Sequence, residues 1–160
     1  CRTEPMETFD RLLPDVGGAS RTLTLPFERR RRSRQRVILD DGGEAQLLLP
    51  RGTVLRDGDL IGGVGTAAVR VCAAAEAVSV AASADVALLL RATYHLGNRH
   101  VPVQIGPGWL RYGHDHVLDD LCRGLGLEVG SARLPFEPEA GAYAGGHAHS
   151  GTHAHDHHSH

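Results

Sequence analysis

Eleven histidines, none of them before residue 95, are the residues of this chain best suited to chemistry. Seven (His147, His149, His153, His155, His157, His158 and His160) crowd into the last fourteen positions, "HAHSGTHAHDHHSH". Neutral imidazole is a good ligand for nickel, copper and zinc, and a flexible strand of imidazoles can hold several ions loosely and release them quickly. Affinity tags are ordinarily unbroken His runs, whereas Ala, Ser, Thr and Asp interrupt this one, so it reads as a native metal-binding tail. The pattern indicates a metal without selecting which.

The other four histidines lie in two short stretches. In "YHLGNRHVPVQI" His95 and His100 are five residues apart, a spacing that does not share a helix face, and Gly97-Asn98 separates them further. Each is read alone: His95 as a cation on a last helical turn, His100 as a residue entering a strand, ligand or structural on equal terms. In "HDH", His114 and His116 flank a presumed cap, Asp115, at the positive end of a helix. That placement disfavours imidazolium, and a ligand pair and two solvated capping-region residues remain equal readings.

Other chemistries find little support. There is no Gly-x-Ser-x-Gly, no His-Glu-x-x-His and no phosphate loop, since Gly62 to Gly65 has no Lys-Ser/Thr after it, so no enzyme is expected. Cys1, Cys72 and Cys122 are odd in number and widely spaced, which signals neither a disulfide framework nor a thiolate zinc site. A net charge of −2 with His neutral gives no global pull toward nucleic acid or membrane. The longest aliphatic run is far too short to span a bilayer and no export signal is visible, so the chain is read as cytoplasmic. In "ERRRRSRQR", Arg30, Arg32, Arg34 and Arg36 would share one strand face, as a protective or partner-binding edge without the aromatic interleaving of nucleic-acid binders.

These residues need elements to position them. Hydrophobic residues are 41% of the chain and aromatics 4%, so any core is largely aliphatic. "RTLTLPF", two apolar runs around Asp-Asp-Gly-Gly, and "AAVRVCA" predict a small antiparallel sheet ending near Ala74. "AEAVSVAAS" predicts a strand, followed by a helix capped by Ser83 or Asp85 with Val86, Leu89, Leu90, Thr93 and Tyr94 as its stripe and Gly97-Asn98 as its stop. "VPVQI" and "WLRYGH" predict strands. Asp115 caps a second helix carrying Val117, Leu118, Leu121, Cys122 and Leu125, and "LEVGSARLPF" is a weaker last strand. The order β-α-β-β-α-β suggests a ferredoxin-like split βαβ unit. From Gly141 onward no large aliphatic residue occurs, so a disordered tail is expected.

Two of these stretches also carry a resemblance. "TYHLGNRHVPVQI" and "RYGHDHVLDDLCRGLGL" closely resemble the hallmark segments of the UreE family of urease accessory proteins. "SRQRVILDD" with "LLLPRGTVLRDGDLI" resembles the family's N-terminal domain, and the similarity runs from about Leu23 to Tyr143. It implies an α+β chain: a partner-binding β domain over residues 1–74, a ferredoxin-like metal-binding and dimerisation domain over 75–143, and a disordered His-rich tail over 144–160. It further implies a homodimer that carries nickel to urease apoprotein, with the urease accessory GTPase as partner. By motif, His100 takes the position of the interface nickel ligand, and His114 and His116 those of secondary sites. Some relatives carry His where this chain has Gly113, which implies fewer ligands at the secondary site. Copper or zinc binding in vitro is also expected, and the alternative function is a metal buffer without a specific client.

Overall fold

The computed structural model describes residues 6–15 and 17–141. Among them are eleven strands and three helices in three sheets, a mixed α+β architecture. The alternating stretch from Arg21 forms β3 (Arg21–Leu25), and the two apolar runs around Asp-Asp-Gly-Gly form an antiparallel hairpin, β4 (Arg34–Ile38) with β5 (Glu44–Leu48). Gly42 supplies the positive φ, +90°, that this turn demands.

The N-terminal half is not one antiparallel sheet, as the pattern predicted. Two three-residue strands, β1 (Glu7–Phe9) and β2 (Arg11–Leu13), are too short to show alternation, and β1 adds parallel to β5. The result is a sheet β1-β5-β4 and a second of order β2-β6-β7-β3, with β6 at Leu60–Gly62 and β7 at Val69–Ala73. There β3 pairs parallel with β7. The two sheets enclose one apolar core, aliphatic except for Phe9, that includes Leu23, Val37, Leu47, Leu55, Ile61 and Val71.

Polar groups hold the hairpin to its neighbours. Asp40 accepts from the Thr22 and Thr24 hydroxyls at 2.6 and 2.7 Å, and Asp41 accepts from Arg21 Nε at 2.6 Å. These hydroxyl donors, and the Arg21 guanidinium, hold the two carboxyls below the usual carboxylate range. A depressed folded-state pKa contributes stability above the unfolded value and loses it as pH falls through the folded one. The urea midpoint is therefore expected to drop as pH is lowered from about 4, and Asp40→Asn with Asp41→Asn to flatten that dependence. Equal slopes in the two proteins would contradict this.

The C-terminal half places β8 (Ala75–Ala82), α2 (Val86–Asn98), β9 (Val103–Gly106), β10 (Trp109–Gly113), α3 (His116–Gly124) and β11 (Glu128–Pro135) in the predicted order. The sheet order β11-β8-β10-β9, antiparallel throughout, interleaves two βαβ units. β11 is not weak: all eight of its residues pair with β8. The β9–β10 turn uses Pro107 and Gly108, whose φ of +77° suits the third residue of a type II turn.

One face of this sheet is covered by α2 and α3 through Ala92, Leu96 and Cys122 against Ala81, Leu110 and Tyr112. The other meets the N-terminal half, where Phe27 packs edge-on to Phe136 beside Val78. Between the halves lies Arg30, wholly buried. Its Nε donates to the Leu25 carbonyl and one Nη to the Leu55 carbonyl, both at 3.1 Å. The remaining donors reach the Phe136 carbonyl and the Glu137 carboxylate.

Candidate metal centre

α2 does not stop at Gly97-Asn98 but runs through both, with Arg99 as its C-cap. Gly in a helix costs only about 1 kcal/mol relative to Ala, which tertiary packing outweighs here. His100 ends the helix: its φ of +58° is the only positive value outside glycine among the described residues. Its N–H donates to the Gly97 carbonyl at 2.9 Å, and the Val101 N–H donates to the Leu96 carbonyl at 3.1 Å. That bond pair is the Schellman motif, and Leu96 and Val101 make its apolar contact inside the core. An imidazole thus occupies the left-handed position where glycine is usual, and the side chain is exposed. Strain of this kind persists only where the surrounding structure over-determines the conformation, as the Schellman bonds do here, and it clusters at functional sites. The Leu96/Val101 pair around "GNRH" is the sequence signal that would have placed this cap.

Asp115 caps α3 as predicted, accepting from the N–H groups of Val117 and Leu118 at 2.8 and 3.3 Å. His114 and His116 stand on either side of it, both exposed. His95 is half-buried on the last turn of α2, its ring edge-on to Tyr94 at 5.5 Å. Register sets the relation between the clusters. Val103 lies opposite Tyr112, so the chain enters β9 from His100 at the same sheet end where β10 delivers His114. Among the described residues no three His, Cys, Asp or Glu side chains converge to enclose a metal. Cys122 is buried inside, and that burial pushes its thiol pKa up, so it stays a protonated core residue.

Comparison with known proteins decides the lineage. Residues 11–74 match the family model for the UreE urease accessory protein N-terminal domain, and residues 76–160 match that for its C-terminal domain. The chain belongs to the UreE family of urease accessory proteins. It is 58% identical to the urease accessory protein UreE of Alkalilimnicola ehrlichii over 140 residues, 88% of this chain and 86% of that one. With the UreE protein of Citrobacter koseri the identity is 60% over 136 residues, covering 84% and 90% of the two chains. With that of Pseudomonas putida strain W619 it is 61% over 123 residues, 76% of each.

Two further sequence expectations for this UreE chain change in the structure. Arg30 does not share a strand face with Arg32, Arg34 and Arg36; it lies in a one-turn helix, α1 (Phe27–Arg30), inside the protein, because three carbonyls and Glu137 satisfy its guanidinium. Arg34 and Arg36 do project together, exposed, from the edge strand β4, and Arg32 is exposed in the turn before it. The apolar stripe of α2 also splits. Leu88, Leu89, Ala92 and Leu96 face the core, while Val86, Leu90 and Tyr94, one turn apart, are each about two-thirds exposed. The histidines from His147 to His160 lie outside the described residues. Near their root, the Glu139 N–H donates to the Val103 carbonyl at 2.8 Å, bringing the chain back beside the strand that His100 enters. No helix among the described residues is long and apolar enough to cross a membrane.

Proposed function

We propose that this chain is a nickel metallochaperone that delivers nickel to urease apoprotein during assembly of its active site. It carries its cargo and catalyses no reaction. Family membership supports the urease client, and one observation carries the metal reading: the exposed imidazole of His100 at a strained, left-handed helix end. A single exposed imidazole is a weak site. A homodimer formed through the domain of residues 75–143, of ferredoxin-like type, would bring two together, because an isologous interface repeats the same residue across its axis. The uncovered stripe of Val86, Leu90 and Tyr94 on α2, the helix that ends in His100, supports that interface. Two imidazoles leave coordination positions open, unlike a closed four-ligand structural site, so the metal can be passed on.

His114 and His116 would form a secondary site. The tail over 144–160 would supply His147, His149, His153, His155, His157, His158 and His160 as exchangeable ligands, launched from beside β9. The domain of residues 1–74, with Arg32, Arg34 and Arg36 on its edge, is the surface offered to the urease apoprotein complex or the accessory GTPase. The setting is cytoplasmic. Copper or zinc would bind the same imidazoles in vitro.

Nickel-loaded protein is expected to activate apo-urease in a reconstituted mixture, and metal binding without any transfer would indicate a buffer with no client. Removing residues 145–160 should lower nickel capacity in equilibrium dialysis while leaving a folded dimer that still binds nickel. Unchanged capacity or a monomer would contradict the role given to the tail.

A further inference from the structure

Behind His114 the C-terminal sheet and α3 gather a set of polar side chains. Strand register sets Ser131, Ser79, Tyr112 and Val103 side by side across all four strands of the C-terminal sheet. Ser79 is wholly buried, and Asp119, reaching in from α3, is only 3% exposed. The Tyr112 hydroxyl donates to Asp119 Oδ1 at 2.9 Å. His114 Nδ1 sits 3.0 Å from Ser79 Oγ, 3.4 Å from Ser131 Oγ and 3.5 Å from Asp119 Oδ2. One nitrogen of the half-exposed ring therefore faces three oxygens, one of them a carboxylate, and the other lies across the ring.

A hydroxyl can donate or accept, but a carboxylate only accepts. A lone pair on Nδ1 would be repelled by Asp119, whereas a hydrogen there is attracted. Nδ1 thus carries the hydrogen, and Nε2 carries the lone pair. Metal-ligating histidines are oriented in this way, the second ring N–H given to an oxygen that fixes tautomer and direction. His116 has no side-chain hydrogen bond among the described residues, so the two histidines of "HDH" are not equivalent. Burying a carboxylate costs stability unless it is well paired, and the pairing here ends on an exposed imidazole.

The geometry points to Asp119, backed by Tyr112 and Ser79, as the positioning group that makes His114 a ligand for a divalent cation through Nε2. This rests on the reading of His114 as a metal ligand, and the test separates the two. In the full chain with 15N-labelled histidine, long-range 1H–15N correlation spectra report the His114 tautomer without metal. Titration with zinc alone then follows Nε2 of His114 by its shift. The wild type is expected to show Nδ1–H and a zinc-dependent Nε2 shift. In Asp119→Asn the amide NH2 turns toward Nδ1 and its oxygen keeps the Tyr112 hydroxyl. The tautomer should swap, and the half-point at His114 rise about tenfold to a hundredfold, with His116 little changed. Tyr112→Phe keeps the carboxylate but frees Oδ1, and should move the half-point less, in the same direction; it serves as the test if Asp119→Asn does not fold. An Nε2–H tautomer in the wild type overturns the proposal. So does Asp119→Asn, or failing that Tyr112→Phe, with tautomer and half-point unchanged. If wild-type His114 shows no zinc shift at all, the ligand assignment itself falls and takes the proposal with it.

Discussion

Replacing His100 with glycine in the chain lacking residues 145–160 is expected to abolish the tightest nickel-binding event, one per dimer, with the fold intact. The substitution removes the same ligand from both subunits, so the loss should be total and not half. Glycine is the informative choice because His100 holds φ at +58°. A side chain in the left-handed region costs roughly 1–2 kcal/mol, which glycine does not pay, though glycine loses more chain entropy on folding. The melting temperature of His100→Gly should therefore equal or exceed that of His100→Ala, which keeps the strain without the ligand. The double variant His114→Ala, His116→Ala should lose only weaker binding. Calorimetric titration reads these outcomes directly. A tight one-per-dimer event that survives in His100→Gly and vanishes in the double variant would mean the two sites had been assigned the wrong way round.

The largest loss of stability is expected at Arg30. Its side chain is wholly buried, with the Leu25, Leu55 and Phe136 carbonyls and Glu137 arranged around one guanidinium. Arg30→Ala opens a cavity, leaves those carbonyls without their donors and strips Glu137 of its main counter-charge. Arg56 offers that carboxylate only a longer contact of 3.9 Å. Removing one member of a buried pair typically costs about 3–5 kcal/mol. Arg30→Lys should recover little of this, since an ammonium cannot span the fork that the guanidinium fills. Chemical denaturation measures both, and a loss below about 1 kcal/mol, the scale of a surface pair, would show that the contact does not join the halves. Because Phe136 and Glu137 begin the segment that leads past Val103, Arg30→Ala should also loosen the root of the tail.

Much of the candidate site was legible from local chemistry. Asp115 before an apolar run can satisfy helix N–H groups in only one way, and Pro102 fixes the extended entry to β9. The alternation and turns of the C-terminal half are strong enough to fix both the element order and the strand ends beside which His100 and His114 stand. What the sequence hid is tertiary. Arg30 looks like its neighbours in "ERRRRSRQR", because its burial depends on a carboxylate 107 positions away. β1 and β2 are too short to show a period, and the parallel pairing of β3 with β7 is a long-range choice that local patterning does not encode. In α2 the periodicity was visible but not its direction, since two adjacent apolar faces share it and only packing shows which one meets the sheet. The left-handed conformation of His100 was masked by Gly97 and Asn98, better local stoppers that the Leu96–Val101 contact overrides.

The central claim is that nickel sits where two copies of His100 meet. Anomalous diffraction at the nickel edge from crystals of the nickel-loaded dimer tests it most directly. A nickel peak on the molecular two-fold axis, with an imidazole nitrogen of His100 from each subunit at bonding distance, is the expected result. Full nickel occupancy only beside His114 and His116, with both His100 side chains metal-free, would contradict it.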